Sequence, residues 1–111
     1  MPTILPTDDN NNPIPALRLR EGGAQKIAVT SSSARNAVAF DADTHVISLY
    51  ATGPVYVRLG GATVTAANTD HYFPANTYYD IAIGGEESMQ TAYIAAIRAD
   101  TDCMLYISEK I

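Results

Sequence analysis

Hydrophobic and polar residues alternate along most of this chain with the two-residue period of a β-strand. The clearest example is residues 55–59, where Val55, Val57 and Leu59 point to one side and a tyrosine and an arginine point to the other. Gly-Pro precedes this segment and Gly-Gly follows it, and both dipeptides favour turns. A helical period is almost absent. The pattern therefore predicts an antiparallel β-domain in which each strand buries one face.

Short polar turns separate the predicted strands from residue 24 onward. Strands are predicted over residues 26–30, 36–40, 45–51, 55–59, 63–66, 78–83, 92–98 and 103–108, with an extended segment at 71–76 that ends in a proline turn. In the second of these strands, Val38 and Phe40 are expected on one face. The 92–98 segment is rich in alanine, but its β-branched and aromatic residues favour a strand. About eight short strands at this spacing predict an all-β fold, a small antiparallel β-sandwich of jelly-roll type.

The first 23 residues differ from the rest and are predicted to form an extended arm before a β-sandwich domain at residues 24–111. Four prolines and an Asp/Asn-rich turn are incompatible with a helix or a central strand there. The segment is nevertheless too apolar for a freely solvated tail. Its candidate partner-binding residues are Ile4, Leu5, Ile14, Leu17 and Leu19. Two placements fit these properties, along a neighbouring surface or along the edge of its own sandwich.

The charge balance argues against two classes of partner. The formal net charge is −5, with twelve acidic and seven basic residues, and the basic residues are scattered along the chain. Because nucleic-acid binding depends on clustered Lys and Arg, direct DNA or RNA binding is not expected. No apolar run approaches the roughly 18–20 residues that cross a bilayer, so no membrane partner is expected either. The start of the chain also lacks the basic and apolar regions of a signal peptide.

No pattern of reactive residues predicts an enzyme, a cofactor site or a metal site. The serines at 31–33 lack the Gly-x-Ser-x-Gly context of a strained nucleophile, and His45 and His71 each lie near an aspartate without a recognisable triad. Asp41 and Asp43, like the aspartates at 100 and 102, occupy predicted turns, where their side chains bond nearby backbone amides. The single cysteine allows no intrachain disulfide.

Tyrosine is expected to contribute to the core together with Val, Ile and Leu, and also to reach the surface. The chain has seven tyrosines and no tryptophan. Because a tyrosine ring has an apolar body and a polar tip, this number in a small sheet protein suggests that several rings meet water or a partner. Tyr72 and Tyr78 are the candidate partner-binding rings. Together with Tyr79 they are also candidates for an aromatic platform that binds carbohydrate.

Four segments resemble a known group of proteins. They are VYVRLG at 55–60, DHYFPAN at 70–76, YIAAI at 93–97 and LYISE at 105–109. In this order they resemble small β-sandwich virion proteins of tailed bacteriophages, in which a VYVRFG strand, an LPAG turn and a YIAAI strand recur. The resemblance covers about the last two thirds of the chain. Asn76 stands where the group usually has glycine, and asparagine also tolerates a left-handed backbone.

The resemblance implies a mechanical and non-enzymatic role. The chain would be an accessory subunit on the phage head or the head-to-tail neck, either a collar protein or a capsid decoration (cement) protein. Its partners would be other virion proteins (capsid, portal or connector, and neck subunits) and further copies of itself, after synthesis in the host bacterial cytoplasm. Removing residues up to Arg20 is expected to leave a folded monomer that assembles less well. The alternative is a carbohydrate- or receptor-binding β-sandwich module.

Overall fold

The computed structural model describes residues 7, 9–12, 17–84 and 89–111. All the regular elements in these ranges are strands. They are β1 (Leu19–Val29), β2 (Ala34–Arg35), β3 (Val46–Ala51), β4 (Val55–Gly60), β5 (His71–Phe73), β6 (Tyr78–Ala82), β7 (Tyr93–Arg98) and β8 (Cys103–Lys110).

The eight strands form two four-stranded antiparallel sheets. Sheet I has the order β1-β8-β3-β6 and sheet II has the order β2-β7-β4-β5. Successive strands mostly alternate between the sheets, and the first strand pairs with the last. This is the strand order of an eight-stranded jelly roll, so the predicted all-β sandwich is confirmed.

The core lies between the sheets and is built from alternate residues of the strands. The side chains buried there include Ile27, Val29, Ile47, Leu49, Leu105 and Ile107 from sheet I, and Val55, Val57, Ile94 and Ala96 from sheet II. In β4 the valines are buried while Arg58 is exposed, which confirms the alternation read from the sequence. Burial of these aliphatic side chains, each worth about 1.5–3 kcal/mol, is the main source of stability.

Residues 36–40 do not form the predicted strand, and β2 ends at Arg35. Asn36 is buried, its side-chain amide donates to the carbonyl of Val38 (2.7 Å), and its side-chain oxygen accepts from the amide of Ile94 (2.8 Å). A side chain thus makes the contacts that a strand partner would make. The chain turns there, so Phe40 enters the core while Val38 is exposed. The prediction that these two residues share a face was wrong for this reason.

Residues 63–66 are also not a strand. They belong to the long connection between β4 and β5, which passes over the outer surface of sheet II. The side chain of Val64 lies so close to Gly60 that a Cβ at Gly60 would come within 2.9 Å of it. The amide of Ala66 donates to the hydroxyl of Ser33 at 2.8 Å, which attaches the connection beside β2.

Strand β1 begins at Leu19, inside the segment that the sequence assigned to the arm. The backbones of Arg18 and Ile111 bond to each other at 2.9 and 2.7 Å, and Leu19 pairs with Lys110. Residues 19–23, assigned to the arm by the sequence, therefore form the beginning of β1. Leu17 is half-buried, while Ile4, Leu5 and Ile14 lie outside the described residues. A deletion up to Arg20 would remove part of a strand as well as the arm.

A bulge in β1 surrounds a buried carboxylate. Between the pairs Leu19–Lys110 and Ala24–Ser108, four residues of β1 lie opposite Glu109 alone, and Gly22 adopts a φ of 74° there. Glu109 is 2% exposed. One of its oxygens accepts from the amide of Asp41 (2.8 Å) and the hydroxyl of Thr44 (2.7 Å), and the other accepts from the Arg20 guanidinium (3.2 Å). This Glu109 network ties the start of β1 to the loop before β3.

Candidate functional site: an exposed tyrosine row

A row of tyrosines crosses the outward surface of sheet I. Tyr50 of β3 pairs with Tyr106 of β8 on one side and with Tyr78 of β6 on the other. Directly paired residues of antiparallel strands point to the same side of a sheet, with Cβ atoms about 4.5–5.5 Å apart. The exposed fractions of Tyr106, Tyr50 and Tyr78 are 46%, 36% and 55%. These three residues are the tyrosine row, and the outward surface of sheet I is called the open face.

The alternation in each strand forces the rings outward. Tyr50 lies between the buried Leu49 and Ala51, and Tyr106 lies between the buried Leu105 and Ile107. Because each strand places its aliphatic residues in the core, its tyrosine has to point to solvent. The local sequences of β3 and β8 therefore place two of the three rings of the tyrosine row.

The other outward positions of the open face combine small apolar, hydroxyl and charged side chains. Lys26 of β1 pairs with Tyr106 and extends the tyrosine row. The next pairs along the strands form two further rows: Ala24, Ser108, Ser48 and Asp80, then Leu19, Lys110, Val46 and Ala82. The charged residues among these outward positions are two lysines and one aspartate. In a chain of net charge −5, this surface is therefore not acidic.

Two contacts hold the polar edges of the tyrosine row in place. The Tyr50 hydroxyl donates to the side-chain oxygen of Asn76 at 3.2 Å, and the amide of Asn76 donates to the carbonyl of Ala51 at 2.8 Å. Asn76 has a φ of 59°, a left-handed backbone that asparagine tolerates better than most residues. The turn before β6 is thus shaped so that it supports a ring of the neighbouring strand.

The second contact involves a lysine. Lys110 places its Nζ 2.8 Å from the Asp80 carboxylate and 4.9 Å from the centre of the Tyr78 ring. A hydrogen bond to Asp80, which has the largest effect, and one to Tyr78 raise the pKa of Lys110 above its ordinary value, although partial burial opposes this. The ammonium group stays protonated at neutral pH and restrains the Tyr78 ring through a cation–π contact.

The predicted tyrosines are distributed over three surfaces. Tyr78 lies on the open face together with Leu19, which is 70% exposed. Tyr72 lies on the outward surface of sheet II and packs against Tyr56, with ring centres 5.5 Å apart. Tyr79 points between the sheets and meets Phe73 edge-on at 4.7 Å. The platform of Tyr72, Tyr78 and Tyr79 therefore does not form. Sequence analysis missed Tyr50 and Tyr106, because the row exists only once strands distant in sequence are paired.

The outward surface of sheet II is partly covered. Arg35, Ala95 and Arg58 form a cross-strand row there, and Ala95 is fully buried between the two arginines. The connection held by Val64 and Ala66 crosses this surface, as described above. Neither arginine forms an ion pair with another residue in the described part of the chain.

A hollow of about 710 Å³ opens between the edge strands β5 and β6. It is lined by Val57, Leu59, Phe73, Ile81, Arg58, Asp70 and His71. The Asp70 carboxylate accepts from the amide of Ala67 at 2.7 Å and so closes a turn. Asp41 does the same for the amide of Asp43 at 2.9 Å.

The other candidate chemistry is sparse. Among the described residues, no three His, Cys, Asp or Glu side chains are grouped in a way that would hold a metal ion. No helix in that part of the chain is long and apolar enough to cross a membrane. Cys103 is half-buried in β8, and burial raises the pKa of its thiol.

Comparison with known proteins found no match. No family model, no curated protein and no solved structure resembles the chain closely enough to place it in a family.

Proposed function

We propose that this protein is a non-enzymatic structural subunit of a tailed bacteriophage virion, bound to the head or to the head-to-tail neck. Its role is to reinforce the assembly through protein–protein contacts, as a collar or capsid decoration (cement) protein. The placement in a virion rests on the sequence resemblance, carried by the segments at 55–60, 70–76, 93–97 and 105–109.

The open face is the observation that supports a docking role. Tyrosine is enriched at protein interfaces because its ring contributes a large contact area at little cost in conformational entropy. Three such rings lie side by side across three adjacent strands of sheet I, and contacts to Asn76 and Lys110 restrain two of them. A restrained aromatic centre with a polar surround is the usual composition of an interface hot spot.

The fold suits a mechanical role. A sandwich core sealed by aliphatic side chains and a buried Glu109 network forms a rigid body. Many copies of a modest interface hold an assembly firmly, since each further contact acts at high local concentration. The proposed subunit therefore needs no large interface of its own.

Localisation of the chain in particles tests this proposal. We expect antibodies against the purified chain to label gradient-purified virions on the head surface or at the neck, and quantitative mass spectrometry to find multiple copies per particle. A chain that is absent from purified particles would contradict the proposal. Label at the tail tip would contradict the head or neck placement.

A carbohydrate-binding module is the second candidate, and the tyrosine row is the observation that favours it. Exposed rings beside the carboxylate of Asp80 and the ammonium of Lys110 resemble a stacking surface with hydrogen-bonding groups at its border. Binding to a glycan array that is lost in Tyr78→Ala, together with absence from the virion head and neck, would favour this candidate.

A further inference from the structure

We propose that the open face pairs with the open face of a second copy of this chain, about a twofold axis that runs parallel to the strands. This inference rests on the docking role proposed above and specifies the partner. Two features of the open face support it: the order of residues across the sheet and the positions of the charges.

The row of residues that crosses sheet I is self-complementary under this symmetry. It reads Lys26, Tyr106, Tyr50 and Tyr78 from β1 to β6. A twofold axis parallel to the strands, between two faces, places β1 of one copy over β6 of the other and β8 over β3. Tyr106 then meets Tyr50 of the second copy, and Lys26 meets Tyr78 of the second copy. The contacts are aromatic at the centre and cation–π at both edges.

The charges favour the same arrangement. Lys26 lies on one edge strand of sheet I and Asp80 on the other, three strand spacings or about 14 Å away, too far for an ion pair within one chain. Asp80 is the second residue after Tyr78 and points to the same side. The proposed axis brings Lys26 of each copy next to Asp80 of the other. An axis perpendicular to the strands would place Lys26 against Lys26, and like charges in such contact repel.

The net charge explains why this face rather than another would self-associate. Two chains of charge −5 repel each other when their acidic surfaces meet. The outward positions of the three rows on the open face have two lysines and one aspartate, so their approach is not opposed by excess negative charge. Contact between the tyrosine rings of the two faces is then the main attractive interaction.

The pairing is expected to be weak in solution. Four strands of about six residues give a face of roughly 400 Å² in projection, at the lower end of specific interfaces. A weak twofold contact is useful when many copies are held on one particle, where the local concentration is high. Monomer and dimer are therefore expected to exchange, with the dimer fraction rising with protein concentration.

Paired charge reversals test the inference on the full chain, using sedimentation equilibrium over a range of concentrations. Lys26→Glu alone and Asp80→Lys alone are each expected to raise the dimer dissociation constant by about tenfold or more, since both symmetric contacts become repulsive. An equimolar mixture of the two variants is expected to form a heterodimer about as readily as the wild type. In the mixed pair, both contacts again join opposite charges.

Arg58→Glu is the matched control for Lys26→Glu, because it makes the same change in net charge on the opposite sheet. Melting curves check that all variants fold, and the double variant K26E/D80K, expected to regain dimerisation, provides a second readout. A wild-type chain that stays monomeric at all concentrations, or a mixture no tighter than the single variants, would overturn the inference. A virion protein that labels the head or neck but does not dimerise would refute this pairing while leaving the proposed function standing.

Discussion

The outward surfaces of the two sheets differ in what lies over them. Sheet I presents Tyr106, Tyr50 and Tyr78 in adjacent register positions, and all three rings are exposed. At the matching place on sheet II, Ala95 is fully buried between two arginines, and the β4–β5 connection passes over the neighbouring Gly60. Within the described part of the chain, the outward surface of sheet II is therefore partly covered by a connection of its own chain, whereas the tyrosine row of sheet I is left exposed.

The difference follows from where the long connections run. A sheet face that receives a connection is completed within the chain, and small residues such as Gly60 and Ala95 make room for it. A face without such a cover keeps its aromatic residues in contact with solvent, which is the usual property of an interaction surface.

Removing the buried Glu109 carboxylate should cause the largest loss in the free energy of unfolding. Glu109→Ala leaves the Asp41 amide and the Thr44 hydroxyl without their acceptor, whereas the Arg20 guanidinium keeps its ion pair with the Asp41 carboxylate at 3.3 Å. Each buried polar group left unpaired costs about 1–3 kcal/mol. We expect a loss of about 3 kcal/mol or more in the free energy of unfolding, measured in urea. Glu21→Ala, at an exposed acid in the paired strand β1, is the control and should stay within about 0.5 kcal/mol of wild type.

Enlarging an alanine on each face tests the contrast directly. Ala95→Leu places three further carbon atoms where the side chain is fully enclosed, and overpacking of this kind costs about 1–3 kcal/mol. Ala28→Leu makes the same change at an exposed position of β1 and should alter stability by less than about 0.5 kcal/mol. Equal losses from the two substitutions would mean that the two surfaces are not covered differently.

Alkaline pH should weaken the restraint on Tyr78 slightly. The pKa of Lys110 is raised in the folded protein, so its stabilising contribution is present in full below the ordinary lysine pKa of about 10.4 and is lost as the pH rises through the folded value. The contribution should be under about 1 kcal/mol, because Asp80 is half exposed. The stability difference between wild type and Lys110→Gln, measured by thermal melting, should therefore shrink at alkaline pH. A difference that grows there would contradict this assignment.

Much of the fold could be predicted from the sequence, because burial on one side of a strand imposes a two-residue period. The inward positions of Ile27, Ile47 and Val57 follow from that period alone. The turn at Asn36 could not be predicted in this way, since its cause is a side chain that bonds the backbone of a distant strand.

The tyrosine row could be predicted from the sequence only in part. The outward direction of each ring follows from the alternation within its own strand, so Tyr78 was predicted as a contact residue. That Tyr50 and Tyr106 lie beside it depends on the register of three strands that are far apart in sequence. Periodicity contains no information on register between such strands, and the site was therefore found only in part.

Two tyrosines of nearly equal exposure provide the most direct test of the open face as the surface that holds this subunit in its assembly. Tyr78 is 55% exposed on sheet I, and Tyr72 is 54% exposed on sheet II. The measurement is the number of copies retained per purified particle, by quantitative mass spectrometry, when each alanine variant replaces the wild-type chain. We expect Tyr78→Ala to reduce retention by about fivefold or more, as for a restrained aromatic side chain within an interface, and Tyr72→Ala to leave it nearly unchanged. Equal retention of the two variants, or a greater loss with Tyr72→Ala, would contradict the account.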